Sequence, residues 1–432
     1  MTLRAMYTGV SGLQAEGEAL STVSDNIANV NTTGFKSQRT VFEDVLGHSI
    51  MAGSGSSMPG SGVHVGAVQQ MFTQGTLSNT GVATDLALNG DGFFMVKGAI
   101  DGVVGNFYTR AGQFNIDNKG TITNTAGLEL QGYQANPDGT FAASVSSLQV
   151  PTSAIPANKT TEMTVVANLD ASEAAIPGGF DITDASNTSN FSTSMTVYDS
   201  LGAQHTLDVY FTKTADNAWT YNVAAHGSDL ATPVAGDVVV GGGTMGFTTD
   251  GKLDTFAAGT PISVDFGGGA AAGQAITVNF GTPITGSGGT GVDGITQYAA
   301  KENVSSQTQD GYASGDFSGV TVDGTGTVMG LYTNGQKLAI GQLAIAKFRN
   351  NEGLGRAGGN MWIDTRDSGP AALGTAGSGG RGAISGGALE GSNVDLATEF
   401  VGLIQHQRAF SANSKTITTA DEMLQELINI KR

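Results

Sequence analysis

The chain has 432 residues, enough for two or three domains, and carries a net charge of −18 with only 13% charged residues and 65 glycines. That balance excludes a nucleic-acid partner, because a phosphate backbone repels such a surface, and the absence of cysteine excludes a disulfide framework or thiolate zinc site. Glycine at about twice its usual share, with charge at about half, fits β structure with many turns.

The chain opens on a helix. Leu3, Met6, Val10, Leu13, Leu20 and Ile27 recur at alternating steps of three and four, with Gly17 and Ser24 as weak positions. This predicts a seam along a helix over 1–30 that needs a partner. No apolar run of about 7–15 residues with a small-residue cleavage site follows Arg4, so no signal peptide is expected. No stretch approaches about 18 apolar residues, so no membrane insertion is expected either. Asn29 to Gly34 is a helix stop. Residues 31–75 then form a connecting segment, in which 53–62 is uncharged, rich in Gly and Ser, and expected to be irregular or flexible.

From residue 76 short apolar runs alternate with turn residues. Asn89-Gly90-Asp91-Gly92, set between Leu86-Ala87-Leu88 and Phe93-Phe94-Met95-Val96, predicts a hairpin. Further turn signals stand at Pro137-Asp138-Gly139, Asp250-Gly251, Asp323-Gly324 and Asn334-Gly335, a punctuation typical of β sandwiches or barrels. Pro151 and Pro156 mark a boundary, 285–294 is a loop, and the strands at 329–332 and 338–347 continue 76–150. The domains are therefore expected to be nested, with 76–150 and 311–386 forming an inner β domain and 151–310 inserted as an outer one. Nesting would bring both chain ends together at one end of a rod-like molecule.

A second seam closes the chain over 387–432: Phe400, Leu403, Phe410, Ile417, Leu424 and Ile428, interrupted by Gln407, Ser414 and Asp421. The fold class is thus mixed, an α-helical coiled-coil terminal domain formed by both chain ends plus nested all-β middle domains. Residues 1–40 sum to zero charge and 395–432 to −1, leaving −17 of the −18 on the middle. Near-neutral ends can pack against copies of themselves, and an acidic middle suits a solvated exterior.

Catalytic chemistry is not in view. His48, His64, His205, His226 and His406 show no metal-ligand spacing. Gly377-Ser378-Gly379-Gly380-Arg381-Gly382 matches a dinucleotide pattern but opens no helix of a βαβ unit. Asp117-Asn118-Lys119-Gly120 lacks the remaining ligands of a calcium loop. No catalytic residue, metal or cofactor is expected, and the chain is not expected to be an enzyme.

Both ends carry longer signatures. Residues 24–36 run Ser24-Asp25-Asn26-Ile27-Ala28-Asn29-Val30-Asn31-Thr32-Thr33-Gly34-Phe35-Lys36. The other end runs Gly387-Ala388-Leu389-Glu390-Gly391-Ser392-Asn393-Val394-Asp395-Leu396, then Gln407-Arg408-Ala409-Phe410 and Asp421-Glu422-Met423-Leu424. Together they resemble the terminal signatures of bacterial flagellar rod and hook proteins, with Asp25 where Asn is commoner. Asp91-Gly92-Phe93-Phe94, Tyr108-Thr109-Arg110-Ala111-Gly112 and Leu130-Gln131-Gly132-Tyr133 are similar to that family as well. The block between Pro151 and Asp310, with Val197-Tyr198-Asp199-Ser200-Leu201-Gly202, His205, Tyr210-Phe211 and Trp219, resembles the outer domain of the hook branch.

The resemblance implies a structural subunit that self-assembles into a curved, bendable helical tube and transmits motor torque from rod to filament as a universal joint. It implies a homopolymer whose terminal helices line the inner channel, packed through Leu3, Val10, Leu13, Leu20, Ile27, Phe400, Leu403, Phe410, Ile417 and Leu424. It further implies contacts with distal rod, hook cap and hook–filament junction proteins. Export without a cleaved signal peptide, through the flagellar type III apparatus, to an extracellular place at the hook and basal body also follows. Phe42, Val45 and Leu46 resemble the short hydrophobic signal that engages the export gate. A distal rod subunit stays open as an alternative, as does a β-sandwich surface adhesin outside the family. A hydrolase on a β scaffold would need a paired-carboxylate cleft, to which the sequence does not point.

Overall fold

The computed structural model describes residues 2–430 apart from 47–49, 53–54, 58–59, 101 and 137–138. Side chains are described except at 2, 3, 50–52, 55–57, 427 and 429. Strands dominate, and a long helix stands at each end, Thr2–Ala28 and Leu396–Ile430. By internal contacts the chain divides into two compact units. The first comprises 1–152, 319–331 and 337–432, and the second comprises 153–318 with 332–336.

In the first unit, the N-terminal helix contains Gly9, Gly12 and Gly17, each costing helix propensity, so packing must hold it. It ends where Asn29 turns its amide back to the Asp25 carbonyl at 2.9 Å. The C-terminal helix begins at a capping carboxylate, with Asp395 Oδ1 accepting from the Ala397 and Thr398 amides at 2.8 and 3.2 Å. Between them, Gln38–Leu46 and Gly60–Gln70 pair antiparallel and lie against the N-terminal helix. The short strands Ile50–Ala52 and Gly55–Ser57 also pair. The irregular connection expected over 53–62 is therefore largely a β hairpin, with residues 53–54 and 58–59 outside the described residues. Gly62, at a φ of 116°, is what lets the hairpin lie so close to Ser11.

The sheet of this unit runs through neighbouring strands Lys337–Leu343, Glu129–Ala135, Phe93–Ile100, Val103–Thr109, Met361–Ile363 and Gly355–Gly358. Phe93, Met95, Tyr108, Phe348 and Trp362 pack beneath it as one buried cluster. The hairpin expected around Asn89–Gly92 does not form. Leu86–Asn89 pairs with Ala383–Gly386, while Phe93–Ile100 pairs with Val103–Thr109. Local turn chemistry is present there, since Gly90 and Gly92 have φ of 109° and 128°, but Leu86–Asn89 is taken by a strand from the far end of the chain and Phe93–Ile100 by the next strand in sequence. The Asn334-Gly335 signal does give a hairpin, Thr327–Tyr332 with Lys337–Leu343.

In the second unit, five consecutive strands form an antiparallel meander: Phe191–Tyr198, Gln204–Ala215, Ala218–His226, Asp237–Phe247 and Leu253–Thr260. A second sheet orders Ile262–Val264, Gln274–Asn279, Glu162–Asp170 and Thr296–Tyr298, with Asn303–Gln309 also on Glu162–Asp170. Alternating residues such as Met163, Val165, Leu207, Val209, Phe211, Trp219, Tyr221 and Phe280 form one buried core. The indole N–H of Trp219 donates to Gln297 Oε1 at 2.9 Å, so the largest core side chain leaves no orphaned donor.

Candidate functional site: the paired chain ends and their clasp

The two terminal helices run antiparallel and meet on small and polar side chains. A Cβ on Gly9 would come within 2.9 Å of Ile417, and one on Gly12 within 2.6 Å of the Asn413 amide. Glu16 meets His406 at 2.7 Å, and Asn26 Nδ2 donates to Glu399 Oε1 at 3.1 Å. Ala19, Val23 and Ala420 are buried along this line. The contact stripe on the first helix, 9, 12, 19, 23 and 26, stands one residue before the expected seam at 10, 13, 20, 24 and 27. One residue is about 100° of rotation on a helix, so Val10, Leu13, Leu20 and Ile27 of the first helix flank the contact, while Ile417 of the second packs on Gly9. Leu13, Leu20 and Ile27 are half-buried, as are Leu403, Ile417 and Leu424. Val10, Phe400 and Phe410 are exposed at 36%, 51% and 40%. The side chain of Leu3 lies outside the described residues.

Partial burial also shifts a charge. Glu399 has its pKa raised from the usual carboxylate value, chiefly by burial and further by Asp395, against the opposing hydrogen bond from Asn26.

Where the ends join the β structure, one carboxylate gathers three segments. Glu390 is wholly buried; its Oε1 lies 2.6 Å from Lys36 Nζ and its Oε2 lies 3.2 Å from Arg110 Nη1. Lys36 is equally buried and donates to the Thr73 carbonyl at 2.7 Å, while the Gly75 amide donates to Glu390 Oε1 at 3.0 Å. Burial pulls the Lys36 pKa down and the Glu390 charge opposes that fall. The Gly34 amide donates to the Glu390 carbonyl at 2.8 Å, and Gly34 takes a φ of 69° with the Arg110–Ala111 peptide against it. Asn393 extends the clasp, accepting from the Ser37 amide at 2.7 Å and donating to the Met71 carbonyl at 2.7 Å. Asn26 and the Gln38 backbone exchange two bonds of 2.8 Å. Asp25 accepts from Gln38 Nε2 at 2.9 Å and from Asn29 Nδ2 at 3.0 Å, so a carboxylate serves as an acceptor at this position.

Phe42, Val45 and Leu46 lie on the strand Gln38–Leu46 with exposures of 37%, 36% and 61%, and the Phe42 ring stands 6.2 Å from that of His406. The other described histidines all meet carboxylates. His64 is 3.3 Å from Glu43, and His205 lies between Asp199 at 3.3 Å and Asp229 at 3.4 Å, stacked on Phe266. His226 is 2.7 Å from Asp237, whose hydrogen bond raises the imidazole pKa, with Asp208 close enough to complete a group of potential metal ligands. That grouping comes from three adjacent strands and leaves no spacing signal in the sequence. His48 lies outside the described residues.

Family models match in the order of the chain: flagella basal body rod protein over 6–36, flagellar hook protein FlgE/F/G D1 domain over 87–168, flagellar basal body protein FlaE D2 domain over 168–312, and flagellar basal body rod FlgEFG protein C-terminal over 385–430. The chain is 36% identical over 427 residues to the flagellar hook protein FlgE of Salmonella typhimurium, covering 98% of each. It is 36% identical over 432 residues to the Escherichia coli FlgE, covering 99% of this chain and 100% of that one. It belongs to the flagellar hook protein family. The FlgE of Treponema pallidum is 34% identical over 479 residues with both chains fully covered. The crystal structure of Helicobacter pylori flagellar hook protein FlgE2 shares the fold, with a TM-score of 0.50 at 15% identity, covering 71% of this chain and 98% of that one.

The chain is thus a structural subunit of the flagellar hook, rather than a rod subunit or an adhesin. In this hook subunit the end signatures and the clasp coincide. Lys36 and Glu390 stand inside the motifs that carry the resemblance, yet their pairing was invisible to periodicity. A sequence signal for it is an isolated charge near a glycine in each signature, Lys36 after Gly34 and Glu390 before Gly391.

Proposed function

We propose that the paired terminal helices are the polymer-forming surface of a bendable hook tube that carries torque from rod to filament. The observation that carries this reading is the incomplete burial of the helix pair. Val10, Phe400, Phe410 and Ile428 remain exposed on helices already joined through Gly, Ala and Asn. Covering one such side chain with a neighbouring subunit contributes on the order of 1.5–3 kcal/mol, so a few per subunit hold a polymer together. Joining copies by one repeated, non-closing rotation gives a helical tube.

In this reading the helices form a coiled-coil inner layer, with Leu3, Val10, Leu13, Leu20, Ile27, Phe400, Leu403, Phe410, Ile417 and Leu424 at subunit contacts. Residues 76–150 with 311–386 act as an inner domain and 151–310 as an inserted outer one. The tube's ends would meet distal rod, hook cap and hook–filament junction proteins. Phe42, Val45 and Leu46, exposed on an edge of the helix-bound hairpin, would engage the type III export apparatus. The test is negative-stain electron microscopy of the full chain under precipitating salt, beside a chain trimmed to 31–394. Tubes from the full chain alone support the reading; tubes from both, or from neither, overturn it.

A further inference from the structure

Charge is divided unequally between the two units. Residues 153–318 hold seventeen acidic side chains against four lysines, −13 of the chain's −18, and all nine arginines lie elsewhere. In this acidic unit Asp170, Glu173 and Glu302 bring carboxylate oxygens within 4.8 Å of one another. Lys213 stands near enough to favour the Asp170 charge, but its ammonium is directed to the Ala171 and Glu173 carbonyls at 2.7 and 2.8 Å. Asp170 already accepts from the Ser172 amide and hydroxyl, and a cation brought here would meet the Glu173 and Glu302 carboxylates beside it.

The first unit offers such cations. A groove of about 740 Å³ is lined by Lys347, Phe348, Arg349, Arg366, Asp367 and Pro370 among others. Arg349 and Arg366 are exposed, and among the described residues neither has an acidic partner. Lys347 lies 3.4 Å from Asp91 and donates to the Gly380 carbonyl at 2.8 Å, and Asp367 is the one acid in the lining. The groove therefore carries excess positive charge on a strongly acidic chain.

We propose that this groove docks the acidic unit of a second copy, seating Glu173 and Glu302 against Arg349 and Arg366. The proposal rests on the reading that the chain polymerises. Planar guanidinium groups match carboxylates bidentately, which fixes orientation as well as attraction. Exposed pairs of this kind govern register and encounter rate more than adhesion. The apolar helix stripe would thus supply cohesion, and the groove would select which neighbour is addressed. Such a contact can break and re-form as subunit spacing changes, because water and salt compete for it at every step.

The experiment is a charge swap in the full chain. Arg349→Glu with Arg366→Glu is expected to raise the critical concentration for tube formation about tenfold at low salt, with an unchanged circular dichroism spectrum and unfolding midpoint. Adding Glu173→Lys and Glu302→Lys to the same chain is expected to restore assembly to within about threefold of the unmodified protein. Unchanged assembly by the arginine variant overturns the proposal, and so does failure of the swapped chain to recover. If assembly responds to Ca²⁺ through Glu173 and Glu302 but not to the arginine changes, a cation rather than a second copy is the occupant, and the proposal falls. Should the unmodified chain form no tubes, the functional reading itself fails. Carbodiimide cross-linking of mixed isotope-labelled copies then decides the contact alone: a link from Lys347 to Glu173 or Glu302 between copies supports it, and its absence overturns it.

Discussion

In the acidic unit Phe211, Trp219, Phe266 and Phe280 are at most 1% exposed, whereas along the helix pair Phe400 and Phe410 stand 51% and 40% exposed. The buried positions on the stripe that meets the second helix are instead Gly12, Ala19 and Asn26. The sandwich closes its apolar surface within one chain. The helices use their small residues to approach each other and leave the large ones outward. A self-contained region can be rigid in the monomer, while a region with unsatisfied apolar surface gains its full stability only on association. Between these extremes lies the clasp, where Glu390 joins the chain ends to the sheet by charge rather than by apolar area.

The comparison breaks first in the sandwich core. Phe211→Ala is expected to cost about 3–5 kcal/mol, measured by urea unfolding of the monomer, because Phe211 sits against Phe191 and Phe280 with no exposed surface. A loss under about 1 kcal/mol would mean that this core collapses around the gap and is not the rigid body described above. Next comes the clasp. Glu390→Gln leaves Lys36 and Arg110 buried without their carboxylate and is expected to cost about 3 kcal/mol. Lys36→Met combined with Glu390→Gln should recover part of that loss, since it removes one of the stranded cations; no recovery would place the clasp's contribution in its backbone bonds instead.

The sequence made the two regions legible to different degrees. Alternation along residues such as Met163, Val165 and Ala167 marks a half-buried strand directly, because period 2 is a local property. The helices were equally plain, but which stripe faces inward was not. Val10, Leu13 and Leu20 make the stronger apolar pattern, and periodicity cannot tell a seam between chains from one within a chain. Gly9, Gly12 and Ala19 read as gaps, yet only small residues allow this close approach. The Asn89–Gly92 turn misled for a related reason: turn residues report backbone conformation at one place and say nothing about which distant strand takes the edge. Lys36 with Glu390, 354 residues apart, is a pairing no local rule reaches.

Smaller effects sharpen the same contrast. Gly34→Ala forces a side chain into a φ of 69° with backbone atoms of Ala111 only 2.5 Å from the new Cβ. About 1–3 kcal/mol of lost stability is expected. The readout is faster amide exchange in residues 31–36, and an unchanged exchange rate would show that the turn relaxes freely. Glu399 gives a pH signature at the helix pair. Its folded pKa is raised above the ordinary 4.5, so the folded state holds the proton more tightly than the unfolded chain. Its contribution to stability is therefore present below pH 4.5 and is lost as pH rises through the folded value. Protection of the C-terminal helix amides, taken relative to the intrinsic base-catalysed exchange rate at each pH, should fall across that window in the unmodified chain, and Glu399→Gln should flatten this part of the profile.

The smallest monomer effect should accompany a large assembly effect. Phe410→Ala removes a side chain that is 40% exposed in the single chain, so monomer unfolding should shift by no more than about 0.5 kcal/mol. In a polymer the same ring would be covered by a neighbour, and its loss should raise the critical concentration by roughly tenfold or more, the equivalent of about 1.5–3 kcal/mol of apolar burial. Phe211→Ala should show the opposite ratio, with a large loss in the monomer and assembly altered only through the unfolded fraction. If Phe410→Ala and Phe211→Ala move stability and assembly in the same proportion, the helices are an ordinary part of one cooperative core. If the proportions separate, the exposed stripe is a surface whose partner is another subunit, and the small residues between the helices are what keep it outward.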